Sequence, residues 1–523
     1  MNKKHLATQT YVANPQNIIL NIDNTKDNTF LVHNSFINAI YKLNDKSIFE
    51  YTFSFSPQKN DQTSIDKFDL RNFDTTTGNN NYSLNQALSY KQKINNYHLT
   101  STFYHRIKSK NEELNIFSNS NFLGLTFQDD DYSVFQDIIN LNNNFELNTS
   151  LSKKLRKNSF IQIKYSISKN VGSFKSHIYN NSLANNTKLD VLESLGGLHL
   201  YNNKKAFINY NVGSNFSSLK SNGLEKYSFL PFAGIKLNFK KSHSLNISYK
   251  RTLKLPQATN ILEESYILNF NTLINNENIV ANAIAKYDNF NLNYYIYDLF
   301  SGTLLIFGGN LIFGKDITAI NTLNFTDYII NNYFLGDKDK SINAHLLFDK
   351  RFSKIPFSIR LKNTFFHIEK NNFINGYKNK LSSNSLSHNI KITSNFKKSL
   401  YNFELGYKRK QDNIESKDIN VKNRVILNTS YFNLLVNYNK LNLTINNSIE
   451  FYTSSTTNQK FFNLSPILNL KTNNKLTFYI KGNDLLNMNK NFIIQNNIYE
   501  NYFEEKTVSV LGGFIITGLK YKF

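Results

Sequence analysis

The segment Gly309-Asn-Leu-Ile-Phe-Gly314-Lys315-Asp316 comes within one residue of a phosphate-binding loop. That loop needs Ser or Thr after its lysine to hold magnesium, and a helix that starts there. Asp316 stands where the hydroxyl belongs and the context is strand-like, so a nucleotide site is not expected. Asp129-Asp130-Asp131 offers hard oxygen ligands but lacks the spaced donors and the glycine of a calcium loop, and reads as a solvated loop. The histidines are scattered: His98 and His105 lie seven positions apart, His243 stands alone at a turn, and none pairs at metal-ligand spacing. The absence of Cys excludes disulfides, thiolate metal sites and a cysteine nucleophile. No Ser, His and Asp set stands out. The chain is therefore expected to be no enzyme, with no cofactor and no metal or catalytic site.

Composition points to a different use for these residues. The chain has 523 residues, 14% of them aromatic, with 31 Tyr and 44 Phe. Its mean hydropathy is nevertheless −0.44. So many aromatics exclude disorder, and the mixture suits a wall whose alternate residues face lipid and water. The longest nearly apolar stretch, Val508–Leu519, falls well short of the about 20 residues a spanning helix needs, whereas a spanning strand needs only about 9–11. The net charge of +23 accompanies abundant Asn, Lys and Ile and reads as compositional bias. Its lysines are spread along the chain rather than gathered in a patch, which argues against a nucleic-acid partner.

Period two dominates the pattern, the mark of strands with two different faces. Ile161, Ile163, Tyr165 and Ile167 alternate with Gln162, Lys164 and Ser166; Leu245, Ile247 and Tyr249 alternate with Asn246, Ser248 and Lys250. Phe403, Leu405 and Tyr407, and Leu476, Phe478 and Ile480, repeat the pattern. Tight polar turns are expected near Asp45, Asn95, Arg156, Asn203, Lys241, Asp288, Phe352, Lys398, Asn439 and Asn473. Longer polar stretches lie between them: Ser56–Asn81, Ser168–Lys188, Leu255–Asn275 and Asp484–Phe503. Short turns alternating with long loops predict a barrel with short periplasmic turns and long external loops. The turns, the final segment Thr507–Phe523 and an initial strand at Asn17–Ile22 predict about 22 strands. The region Phe300–Lys340 holds either one long loop or an extra pair of strands. Composition stays uniform to the end, so residues 1–16 read as a lead-in and 17–523 as one barrel. Tyr201, Tyr249, Tyr407 and Tyr521 are expected at headgroup level.

The chain ends Gly518-Leu-Lys-Tyr-Lys-Phe523, with Ile515, Thr517, Leu519, Tyr521 and Phe523 on one face of the last strand. This terminal pattern resembles the signal read by the barrel-assembly machinery, with Ile515, Leu519, Tyr521 and Phe523 as its residues. Upstream, Phe478-Tyr-Ile-Lys-Gly-Asn-Asp-Leu-Leu-Asn-Met488 resembles the penultimate-strand region of TonB-dependent receptors of the Bacteroidota type. Ser248-Tyr-Lys-Arg-Thr-Leu-Lys-Leu-Pro-Gln-Ala-Thr-Asn-Ile-Leu262 resembles a strand-exit motif of the same family. Asp484 is inserted in the first, and Leu255-Pro256 stands where many relatives have Arg-Pro in the second.

The resemblance implies an all-β, large closed antiparallel transmembrane β-barrel in a bacterial outer membrane, taking up a nutrient or metal chelate. Its partners would be outer-membrane lipid and lipopolysaccharide, the assembly machinery, and TonB only if a plug is present. No plug or signal peptide is visible before residue 17, so a fragment or plug-less form is expected. The rival readings are a passive porin-like channel, a non-transport surface-binding barrel and a soluble polyanion-binding β protein.

Overall fold

The computed structural model describes residues 3–11, 18–68, 71–125, 132–155, 159–179, 183–202, 207–221, 224–239, 242–255, 264–275, 284–325, 328–396, 399–417, 421–454, 457–472, 476–486, 492–498, 502–509 and 513–521. Every regular element among these is a strand, and together the 29 strands form a single sheet. From Ser47–Phe68 onward the long strands form a meander in which each pairs antiparallel with the next long one. Among the described residues parallel pairing enters at two places, both of which involve short loop strands.

The number of strands exceeds the expected 22 for two reasons. Four short strands, Tyr266–Asn269, Thr272–Asn275, Thr318–Asn324 and Ile329–Leu335, lie inside loops. Three long strands are each split in two: Ile18–Val32 with Ser35–Asn44, Leu476–Asn483 with Phe492–Ile498, and Tyr502–Ser509 with Phe514–Tyr521. The first split pair keeps one register on Ser47–Phe68, with Val32 opposite Gln58 and Ser35 opposite Phe55. Within Phe300–Lys340, an extra pair of strands is what forms.

Two further expectations are corrected. The stretches Ser56–Asn81 and Ser168–Lys188 are not long loops but extensions of strands, joined by brief connections. Backbone pairing continues where both faces have become polar, because ladder hydrogen bonds do not depend on side-chain polarity. Arg71–Ile94 reaches 24 residues, about 80 Å at ~3.3 Å per residue, far beyond one bilayer crossing. Asp288 is not at a turn but inside the strand Ala285–Asp298, opposite Arg251. The turns near Asp45, Asn95, Phe352 and Asn439 lie where expected. Those at Arg156, Asn203, Lys241, Lys398 and Asn473 lie outside the described residues.

The two faces differ as the alternation requires. Along Ser133–Lys154, Ile139, Phe145, Leu147 and Leu151 stand exposed on one face. Asn140, Asn142, Asn144, Glu146, Asn148 and Ser150 share the other. The first strand, Lys3–Tyr11, pairs antiparallel with both Ile18–Val32 and Tyr502–Ser509. It is thus hydrogen-bonded to strands from both ends of the sequence.

Candidate functional site

At the loop end of the sheet the four short strands form a strap. Tyr266–Asn269 pairs with Thr272–Asn275, which lies parallel to Ile329–Leu335. That strand pairs with Thr318–Asn324, whose Asn321 and Thr322 lie parallel to Phe373 and Ile374 of the long strand Phe357–Ile374. One end of the strap therefore rests on a distant part of the wall from the other.

The first end is seated by packing and by two hydrogen bonds. Ile267, Leu273 and Ile329 are buried with Phe73, Leu114, Ile116, Val134 and Ile178, which belong to the otherwise polar face. Tyr266 and Ile274 join Ile138, Phe174 and Val191 in an adjoining cluster. The Gln136 side chain donates through Nε2 to the Ile267 carbonyl and accepts from the Ile267 N–H through Oε1, both at 2.8 Å. The far end is held by the turn after Ile374, where the Asn375 N–H donates to Thr322 O at 2.8 Å and Asn375 Oδ1 accepts from the Asn324 N–H at 2.7 Å.

Below the strap the polar face is hollowed twice. One cavity, about 620 Å³, is lined by Glu146, Lys164, His199, Asn215 and Lys250 among others. His199 Nε2 lies 2.9 Å from Asn215 Oδ1, and Arg106 stands 3.8 Å from Glu146. The other, about 550 Å³, is lined by Lys108, Lys110, Asn140, Asn170 and Leu255 among others. Toward the short turns the same face carries cross-strand ion pairs: Lys91 with Glu50 at 2.6 Å, Lys391 with Glu404 at 2.6 Å, and Arg360 with Asp349. The arrangement suits polar recognition and solvation; no cluster of metal ligands occurs among the described residues.

The sequence-selected residues fall as follows. Ile515, Leu519 and Tyr521 are all exposed on Phe514–Tyr521, which pairs with Leu476–Asn483 on one side. Phe523 and Asp129–Asp131 lie outside the described residues. Gly309–Gly314 sits within the strand Thr303–Lys315, as its strand-like context implies. His105 stacks on Phe145 at 4.4 Å, while His243 Nδ1 lies 3.0 Å from Tyr294 Oη. Tyr249 Oη donates to Asp288 at 2.6 Å, and Arg251 Nε donates to the same carboxylate at 2.7 Å. Tyr201 stacks on Phe160 at 5.3 Å. Sequence reasoning missed Gln136 and the strap's seat, although Ile116-Phe117 and Ile138-Ile139 are apolar on both faces where the seat forms.

No family model matches the chain, and no curated protein does. Among solved structures the chain is similar to the copper transporter OprC, with 6% identity, covering 98% of this chain and 80% of that one, at a TM-score of 0.48. It is also similar to the pyoverdine outer membrane receptor FpvA from Pseudomonas aeruginosa PAO1 bound to pyoverdine, with 10% identity, covering 100% and 78%, at 0.47. The apoprotein form of the FrpB iron transporter from Neisseria meningitidis gives 10% identity, covering 100% and 81%, at 0.47. Likeness this slight carries no functional argument.

Proposed function

We propose that the chain is an outer-membrane β-barrel of the TonB-dependent receptor kind, taking up a nutrient or metal chelate. One observation carries this reading: a sheet with chemically opposite faces whose first strand, Lys3–Tyr11, pairs with strands from both ends of the chain. Closure through that strand satisfies the backbone along its length, as lipid demands. The apolar face then turns outward and the polar face lines the interior. Residues 17–523 carry the barrel, with Lys3–Tyr11 completing the circuit.

In this reading lipid and lipopolysaccharide contact the outer wall. Ile515, Leu519, Tyr521 and Phe523 address the chain to the assembly machinery, and TonB engages it where a plug is present. The strap favours a capped receptor over a freely open pore. Lys108, Lys110, Lys164 and Lys250 beneath it favour an anionic ligand, as a carboxylate-bearing chelate is.

Single-channel recording of the refolded chain in a planar bilayer tests this. Insertion with small or no steady conductance is expected, rising severalfold when residues 264–275 are replaced by a short Gly-Ser linker. Large, steady conductance from the unaltered chain would favour the passive channel instead.

A further inference from the structure

We infer that the apolar face of the wall carries a site for a phosphate-bearing lipid, with the headgroup on a row of lysines and one acyl chain in a groove below them. The inference rests on the barrel reading above and places one lipid on that wall. At the loop ends of three neighbouring strands, Ala285–Asp298, Thr303–Lys315 and Lys338–Arg351, Lys286 stands opposite Lys315, and Lys315 opposite Lys338. Lys340 follows on the same face, opposite Phe313. Like charges placed directly opposite one another repel across a sheet. Among the described residues no carboxylate forms an ion pair with any of the four. Asp288 is engaged by Arg251 and Tyr249. Glu369, opposite Lys340, is engaged by Lys380 at 3.2 Å and Lys417 at 3.8 Å. Elsewhere on this face a carboxylate accompanies the lysine: Lys59 pairs with Asp61 at 3.2 Å, Lys169 with Asp190 at 3.3 Å and Lys220 with Glu225 at 3.2 Å.

The row stands at the depth of a lipid headgroup. Below it the face turns apolar, and from Phe313 to Leu305 it covers about nine residues, one strand crossing. Tyr249, Phe290 and Phe313 lie between the lysines and that belt. The first two rings are 4.8 Å apart and the last two 6.4 Å, an aromatic collar of the kind found where hydrocarbon meets headgroups.

Directly beneath, a cavity of about 660 Å³ opens in the apolar face. Gly309 and Ala344, opposite each other in the register, form its floor, with Phe290, Phe307, Leu311 and Ile342 around them. The small side chains leave a furrow that runs along the strands. Gly309 lies about 20 Å from Lys315 at ~3.3 Å per residue, and Lys340 stands only two positions above Ile342. A phosphate held by lysine ammonium groups hangs its acyl chain down this furrow. A free phosphate would use the lysines and leave the furrow empty, so the two features together select a lipid.

The chain has no native tryptophan, so one can be placed as a reporter. Phe290→Trp puts it at the groove, and Leu147→Trp puts it on the apolar face of the strand Ser133–Lys154. Each is refolded into phosphatidylcholine vesicles holding the same small fraction of either brominated phosphatidic acid or brominated phosphatidylcholine. Phosphatidic acid should quench Phe290→Trp at least about fivefold more efficiently, roughly what one lysine contributes near an anionic lipid. The two lipids should quench Leu147→Trp alike. Combining Lys286→Gln, Lys315→Gln, Lys338→Gln and Lys340→Gln should abolish the preference. Ala344→Leu, which fills the furrow and leaves the lysines in place, should weaken it. Sodium phosphate should leave it intact beside sodium chloride of equal ionic strength. Equal quenching of Phe290→Trp by both lipids, the same preference at Leu147→Trp, or a preference that survives either set of substitutions unchanged would overturn the site. Loss of the preference to sodium phosphate would overturn it too, marking an anion site without a lipid. Quenching of neither reporter by either lipid sinks the barrel reading, whereas quenching of both without preference sinks the lipid site alone.

Discussion

At the residue scale, Tyr266 and Gln136 hold the strap to the wall. Burial pushes the Tyr266 phenol far above its ordinary value of 10.0. The folded chain then keeps a proton that the unfolded chain releases, so this contribution is whole below pH 10 and is lost as pH rises toward the folded value. Limited proteolysis of the strap should therefore accelerate above about pH 10, and Tyr266→Phe should remove that part of the dependence. The same alkaline profile in the phenylalanine variant would contradict it. Gln136→Leu strands the N–H and carbonyl of Ile267 without their partner. The cost should be about 2 kcal/mol, or roughly thirtyfold more strap opening by hydrogen exchange. Nothing in the sequence marks Gln136, because its partner is a backbone 131 positions away.

At the element scale the alternating segments were legible wherever one face is apolar. They became illegible where both faces turn polar, as in Ser56–Asn81, because such runs resemble loops while their backbones still pair. Asp288 misleads for a related reason: the polar run Asp288-Asn289 sits mid-strand because Arg251 and Tyr249 on the adjacent strand satisfy the carboxylate. The turn at Asn375-Gly376 carries a strong hairpin signature that the expected turn positions omit. Its φ values are 51° and 80°, a conformation glycine tolerates and a β-branched residue resists. Gly376→Val should cost about 1–2 kcal/mol and loosen the strap's far anchor. Equal protease sensitivity of the strap in that variant would argue that the turn does not support it.

At the scale of the whole molecule, the sequence pattern carries the two-faced wall and its approximate extent, but not the strap. The strap depends on which distant strands become neighbours, and no local periodicity encodes that. Packing on the polar face also depends on neighbours. Tyr431 lies across Gly406, where an added Cβ would meet its ring at 2.2–2.5 Å. Gly406→Val should displace that ring and lower stability by about 1–3 kcal/mol in denaturant titrations of vesicle-inserted protein, and an unchanged midpoint would oppose this.

The absence of native tryptophan allows the central claim to be tested directly. Leu147→Trp and Phe432→Trp place a fluorophore on the apolar face; Asn148→Trp and Asn433→Trp place one on the polar face of the same strands. Each is inserted into vesicles whose acyl chains carry bromine, which quenches tryptophan on contact. A membrane barrel with its polar face inward predicts strong quenching of the first two and little of the others. Equal quenching of all four, or of none, would contradict it.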